Sequence, residues 1–477
     1  MDFLWWKSTF LLIVMGVVLL KNLFSWSKQP GIGLKRQLAN LTIPIFIETL
    51  LIMTLGAVDT LMLSRYSDAS VAAVGVVNQV MTLCFLVFEV INIGTSVLVS
   101  QYLGARLHDR IIRLVGVSLV VNLVVGLLMS SLLYFFSHSI LSMMGLTGEL
   151  LSIGIVYLDF VAMFAFVQAI FMTASATLRA SNMAYYPMIV IAIVNVFNIF
   201  GNYSLIFGHF GFPALGVKGA AISTVICRVI AMVLMCAILF RTVVTHFPWY
   251  IFRRFPVREL MNLLKVGIPS AGEMFSYSSA QVVMTMMITL LGMEALAART
   301  YVVNTVMFGY IFCIAISQGG AITIGHLIGK GKEQGAYLLG RFVLKWSLII
   351  TVLLSLVIAL SGHVIMSVLT SDLEIIKIAS MILWIDVLVE VGRSINIFAT
   401  NALRSTGDVN FPFYVGLVAM WTIQVFGGYM LGVYFGLGIA ALWAMIALDE
   451  LTRGVIFVNR WNSFKWANKG FVAQYKA

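Results

Sequence analysis

Charged side chains are scarce in this sequence. Asp, Glu, Lys and Arg make up 10% of its 477 residues against 61% hydrophobic residues, and the mean hydropathy is +1.02. Soluble domains carry about a quarter charged residues, so a fold surrounded by water is excluded. Period-two alternation of apolar and polar residues is also lacking, which excludes a membrane β-barrel. The four cysteines, Cys84, Cys227, Cys236 and Cys313, sit inside apolar segments without paired spacing, so neither a disulfide framework nor a thiolate metal site is expected. Gly325, Gly329 and Lys330 miss the spacing of a phosphate-binding loop, and no Ser or Thr follows the lysine. With no H-E-x-x-H motif and no serine elbow either, the chain reads as a non-enzyme without cofactor or metal. Any transport it performs must then draw on an ion gradient.

What is present is a series of long apolar runs. Twelve are separated by charged or turn-rich breaks: Leu41–Leu63, Val71–Leu103, Ile111–Phe136, Leu150–Ala176, Tyr185–Phe207, Leu215–Phe240, Leu260–Leu291, Ala295–Ile328, Phe342–Leu369, Ile375–Leu403, Phe411–Tyr434 and Leu437–Asn459. Each meets or exceeds the roughly 20 residues that a helix needs to cross a bilayer. The formal charge of +11 is no sign of a nucleic-acid partner, because the basic residues crowd alternate loops. Arg106, Arg110 and Arg113, then Arg179, then Arg241, Arg253, Arg254, Arg258 and Lys265, then Lys330, Lys332, Arg341 and Lys345, then Arg404 fall at even-numbered connections, and the odd-numbered ones offer fewer, Arg65, Lys218 and Arg299 among them. Both ends of the twelve-span core are therefore expected on the cytoplasmic side. Ahead of the core, residues 1–35 hold a shorter apolar segment, Phe3–Phe24, which reads as an uncleaved anchor that either lies in the interface or makes a thirteenth span.

The chain repeats itself. A shift of 225 residues aligns Pro44 with Pro269, Glu48 with Glu273, Gly94 with Gly319, Leu178 and Arg179 with Leu403 and Arg404, and Pro187 with Pro412. Six spans return the chain to its starting side, so the halves must be parallel copies related by a pseudo-two-fold axis along the membrane normal. The expected architecture is all-α and polytopic: a lobe at 36–255, a second at 256–477, and six helices in each.

Ionisable groups inside a bilayer are expensive, so each acid within a span is a functional candidate. Glu48 and Asp59 share one face of the first span, about 16 Å apart along it. Glu89, Asp159, Glu273, Asp386, Glu390, Asp449 and Glu450 complete the set. The fifth span carries Asn195, Asn198 and Asn202 on one side, where carboxamides either complete an oxygen shell with a carboxylate or bond helices together. Their counterparts in the second half are Met420, Ile423 and Gly427, so only the first half is expected to keep the polar row. Asp386, Glu390 and Arg393 line one face of the tenth span; Glu390 and Arg393 read as a structural pair, and Glu273, with no basic neighbour in its own helix, as the freer acid. Asp59 is expected beside neutral amides rather than beside an arginine, able to exchange a proton or to hold Na⁺ with amide oxygens. Arg228 and Arg453 are further candidates for pairing.

Several stretches in this order resemble the multidrug and toxic compound extrusion family: Val58–Thr60 (VDT), Gly94–Gly104 (GTSVLVSQYLG), LRASN from Leu178, NIFGNYSLIFG from Asn198, and LRSTGD from Leu403 with Pro412. The resemblance spans about Pro44 to Asn459. It implies a monomeric exporter of small amphipathic or cationic drugs or metabolites in the cell inner or plasma membrane, coupled to H⁺ or Na⁺, with substrate and membrane lipid as its partners. It also implies that Asp59 matches the family's first-helix aspartate, and that Asn198 and Asn202 match the polar pair that joins it. The family's second-half cation site is not matched: Arg393 stands where an aspartate precedes the LR arginine by eleven residues, and Glu273 lies closer to its proline than the corresponding glutamate. Two other readings remain open, a flippase for lipid-linked precursors of the same superfamily and an exporter of metabolites other than drugs.

Overall fold

The computed structural model describes residues 32–245 and 255–472, and these contain helices and turns but no strand. The anchor expected at Phe3–Phe24 lies outside the described residues, as do Arg253 and Arg254. In chain order the helices are α1 (Ile32–Tyr66), α2 (Asp68–Gly104), α3 (His108–Phe135), α4 (Ser137–Met143), α5 (Gly148–Met163), α6 (Ala165–Ala180), α7 (Tyr185–Phe207) and α8 (Val217–Thr242). The second half gives α9 (Val257–Thr289), α10 (Met293–Gly329), α11 (Glu333–Leu360), α12 (Gly362–Leu369), α13 (Leu373–Thr406), α14 (Asn410–Ala419) and α15 (Gly438–Asn462).

Every one of the twelve apolar runs falls on a long helix or on consecutive helices. Eight described helices are apolar and long enough to cross a membrane by themselves, or nine if α5 and α6, bent by 50°, form one span. α9, α13 and α15 are also of spanning length, but they carry Glu273, the Asp386–Glu390–Arg393 row, and the Asp449–Glu450–Arg453 group within them. The eleventh span changes its winding. After α14 the backbone continues as π-helix over Met420–Gly427 and Tyr429–Tyr434, a rare geometry that shifts which residues face the protein. The chain is an integral, multi-pass membrane protein.

The repeat is visible in the backbone. Pro44 and Pro269 both lie inside their helices, whereas Pro187 and Pro412 both sit in a first turn, where the missing N–H has no intrahelical acceptor to lose. The turns repeat as well: Arg106 and Gly331, and Asn182 and Gly407, all adopt the left-handed conformation. Glycine does so without strain, whereas Arg106 must be held there by its surroundings.

By contacts the described chain divides into two compact units, one of Ile47–Ala271 and one of the residues up to Phe46 together with Gly272–Ala477. The repeat boundaries at 36–255 and 256–477 and the contact boundaries thus differ at two points, each two or three residues past an in-helix proline. In the first unit, Arg110 pairs with Glu259 at 3.1 Å, and Gly94 meets the Leu263 backbone so closely that a Cβ there would stand 2.6 Å from its carbonyl oxygen. In the second, Gln37 Nε2 and His326 Nδ1 are 2.7 Å apart, and a Cβ on Gly319 would stand 2.8 Å from Thr42 Oγ1. The repeated Gly94 and Gly319 therefore do the same work, letting another helix approach where any side chain would block it. Each unit has its own apolar core, around Phe88, Tyr157 and Leu158 in the first and Met284, Ile382 and Leu442 in the second.

Candidate functional site

In the first unit α1 and α7 bring Asp59 and the asparagine row together. Asn202 donates from Nδ2 to Asp59 Oδ1 at 2.7 Å and to Asn198 Oδ1 at 3.0 Å. Ser223 of α8 donates to the Asn198 carbonyl at 3.3 Å. Asn198 and Asn202 are buried and Asp59 is half-buried, so the carboxylate stands at the edge of the cluster. Asn195 points elsewhere, donating to the Leu51 carbonyl at 2.8 Å, which makes it an α1–α7 fastening. Of the expected row, Asn202 thus meets Asp59 directly, Asn198 joins it through Asn202, and Asn195 does not join it.

The expectation that Asp59 has only amides about it needs correcting. Arg228 of α8 lies within electrostatic reach of Asp59, though the two form no direct ion pair, and its guanidinium lies over the Phe85 ring at 5.4 Å. Tyr157 of α5 is close enough to interact with both charges. The arginine is 26 residues beyond Asn202, on another span, and nothing in linear spacing marks it as a neighbour of Asp59.

Glu48 and Glu273 occupy matching places. Glu48 pairs with Arg179 at 3.2 Å, and Glu273 with Arg404 at 2.8 Å, each pair separated by 131 residues of chain. Glu273 is therefore not the freer acid, because its base comes from α13 rather than from its own helix. The paired motifs Pro-x-x-x-Glu and Leu-Arg are two ends of one duplicated clamp, which fastens the first and fourth spans of each repeat.

The second unit also holds a larger network. Glu390 is paired with Arg393, as expected, and that guanidinium lies over the Tyr310 ring at 5.2 Å. Asp386 accepts from Trp443 Nε1 at 3.0 Å. On α15, Arg453 binds Asp449 at 2.6 Å and Glu450 at 3.1 Å, and Asn396 of α13 donates to the Glu450 carbonyl at 2.9 Å and to its carboxylate. Glu89 is half-buried on α2 and Asp159 half-buried on α5.

Two buried polar groups were not visible in the sequence reading. Asn122 donates to Asn92 Oδ1 at 2.9 Å and lies 2.7 Å from Thr173 Oγ1, joining α2, α3 and α6. Interhelical carboxamide bonding thus occurs elsewhere in this chain as well as on the fifth span. The second is Gln424, fully buried in the π-helical stretch with no hydrogen-bond partner for either amide atom among the described residues. The expectation that the second half has lost its polar row rests on matching Asn198 to Ile423. The wider π winding instead turns the next residue inward, a shift that a fixed offset misses.

A model of the MatE family matches residues 44–204 and again 269–430, two stretches that begin at the repeated prolines. "Uncharacterized transporter YisQ" of Bacillus subtilis (strain 168) is 39% identical over 433 residues, covering 91% of this chain and 95% of that protein. "Probable multidrug resistance protein NorM" of Thermotoga maritima is 26% identical over 96% of this chain and 98% of its own length. A crystal structure described as MATE in the bent conformation superposes with a TM-score of 0.83 at 20% identity, covering 91% of this chain and 96% of the other. The chain belongs to the MatE family, the multidrug and toxic compound extrusion transporters.

Proposed function

We propose that the protein is a secondary active exporter of small amphipathic compounds, organic cations among them, working by alternating access in the cell inner or plasma membrane. It acts as a monomer and is driven by inward flow of H⁺ or Na⁺. The observation that carries this reading is the Asp59 carboxylate, half-buried at the edge of an amide pair on spanning helices. Asn202 is bonded to it and Asn198 is bonded to Asn202. A carboxylate so placed can take a proton, or hold Na⁺ with the carboxamide oxygens, and release either without leaving its hydrogen bond. Coupling follows by reciprocal linkage: an ion on Asp59 favours one orientation of the transporter, and a substrate that competes for the same carboxylate favours the other.

The names of the relatives agree with an exporter of drugs. In a linkage of this kind the ion and the substrate must not be held together, and one acid shared by both ensures that. The test is flux of a lipophilic fluorescent cation in proteoliposomes under an imposed pH or Na⁺ gradient. Asp59→Asn should reduce gradient-driven export to the level of empty vesicles while the purified protein remains folded. Undiminished export under either gradient would sink the proposal.

A further inference from the structure

The Asp59 cluster contains one charge that the export reading does not use. Arg228 Nη1 is shielded from solvent and has no hydrogen-bond acceptor among the described residues, and its guanidinium rests on the Phe85 ring. Were Arg228 there to neutralise Asp59, direct contact would be expected, because a buried ion pair gains most when its partners touch. Asp59 is bonded to Asn202 instead, and the guanidinium stands apart from it. In the same cluster Asn202, 2% exposed, leaves its Oδ1 without a donor. The cluster therefore offers an unused cationic donor and, beside a carboxylate, an unused neutral acceptor.

The complement of that pattern is a molecule with both signs of charge. A cationic ammonium fits the Asp59 carboxylate and Asn202 Oδ1, and a monoanionic carboxylate fits the unpartnered Nη1 of Arg228. A ligand bearing one positive charge would leave the guanidinium unanswered and repelled, and one bearing only a negative charge would leave Asp59 so. The Phe85 and Tyr157 rings beside the charges suit an apolar body. We propose that Arg228 is a specificity-determining residue and that the site prefers amphipathic zwitterions, holding their carboxylate at Arg228 and their ammonium at Asp59. The inference rests on the reading of the Asp59 cluster as the substrate site. It keeps the logic of exchange, since the ammonium still competes with the coupling ion for Asp59.

The test is equilibrium binding to the purified full-length protein in detergent, without any gradient, read by probe fluorescence. Three probes share one body: Nε-dansyl-lysine, a zwitterion; its methyl ester, a cation; and its Nα-acetyl derivative, an anion. The wild-type protein should bind the zwitterion about tenfold more tightly than either of the others. Arg228→Gln should erase the preference over the ester, by weakening zwitterion binding and relieving the repulsion felt by the ester, and Asp59→Asn should erase the preference over the acetyl derivative. Arg228→Lys, which keeps the charge but not the planar fork, should retain part of the preference and serves if the glutamine variant does not fold. Equal binding of zwitterion and ester by the wild type, no zwitterion binding at all, or an unchanged preference in Arg228→Gln would each overturn the proposal. Failure here would leave gradient-driven export of the ester intact, whereas failure of the export reading would abolish the effect of Asp59→Asn on flux and leave the binding preferences standing.

Discussion

The two halves of this protein share one buried charge pair and differ in the other charged groups that their spans hold. Glu48–Arg179 and Glu273–Arg404 are the same clamp in duplicate. Elsewhere the halves part. The repeat position of Asp59 is Met284 in the second half, and the positions of Asp386, Glu390 and Arg393 are Val161, Ala165 and Gln168 in the first. The first half keeps one half-buried acid bonded to a carboxamide. The second keeps four acids and two arginines, bound to one another or to Trp443 and Asn396. A carboxylate bonded to a neutral amide can exchange its counter-ion at little loss, whereas one held by an arginine can give up that partner only by stranding a buried charge. Under the proposed function, the exchangeable site belongs in the first half and the second half's network is structural.

That contrast can be broken by experiment. The largest effect expected is on flux: Asp59→Asn should abolish gradient-driven export, whereas Glu390→Gln should lower yield or thermal stability more than turnover. Export lost equally in both variants would mean that the two halves do not divide the work. Next comes the shared clamp. Arg404→Ala should destabilise the protein by about 3–5 kcal/mol, because it strands Glu273 without its partner. Arg179→Ala should cost less, since the Arg179 side chain is 28% exposed and that of Arg404 only 10%. Unfolding in detergent micelles would measure both, and equal losses would show that burial does not set the strength of the clamp.

A smaller effect is expected from Glu390 and Arg393. In a double-mutant cycle of Glu390→Gln and Arg393→Gln, the coupling energy should be about 1–3 kcal/mol, with the double variant more stable than the sum of the singles. Additivity would remove the pairing. Within the first half, Asn202→Ala should weaken the ion dependence of export by about tenfold, the effect of losing a hydrogen bond to a charged group. Asn198→Ala should do less, since Asn198 reaches Asp59 only through Asn202. A larger effect at Asn198 would reverse that order. The smallest change should come at Gln424. Gln424→Met removes two buried polar atoms that have no partner among the described residues, so stability should stay within about 1 kcal/mol of wild type or rise. A large loss would reveal a partner.

The Glu273 reading shows how far the sequence carries. The repeat put Glu48 and Glu273 in one class and Arg179 and Arg404 in another, but a pairing across 131 residues and two helices leaves no mark on either helix taken alone. Glu390 and Arg393, three residues apart, were legible because helical geometry makes such neighbours meet. The Asp59–Asn202 contact was reached only through the family resemblance, since α1 and α7 carry no local feature that points them at each other.

The sequence by itself determined that the chain lives in lipid, where its spans lie, that it is a duplication, and which of its acids lie inside spans. All of these follow from hydropathy, length and self-similarity, which are properties of the order of residues. Only the tertiary structure decided which polar groups meet across helices: Glu273 with Arg404, Asp386 with the Trp443 indole N–H, and Arg228 close to Asp59 yet not paired with it. It also decided that Gln424 rather than Ile423 turns inward. The reason is the same in each case. A helix fixes the direction of its side chains relative to one another, but which helix it faces is set by packing, and one stretch of π winding is enough to change the face.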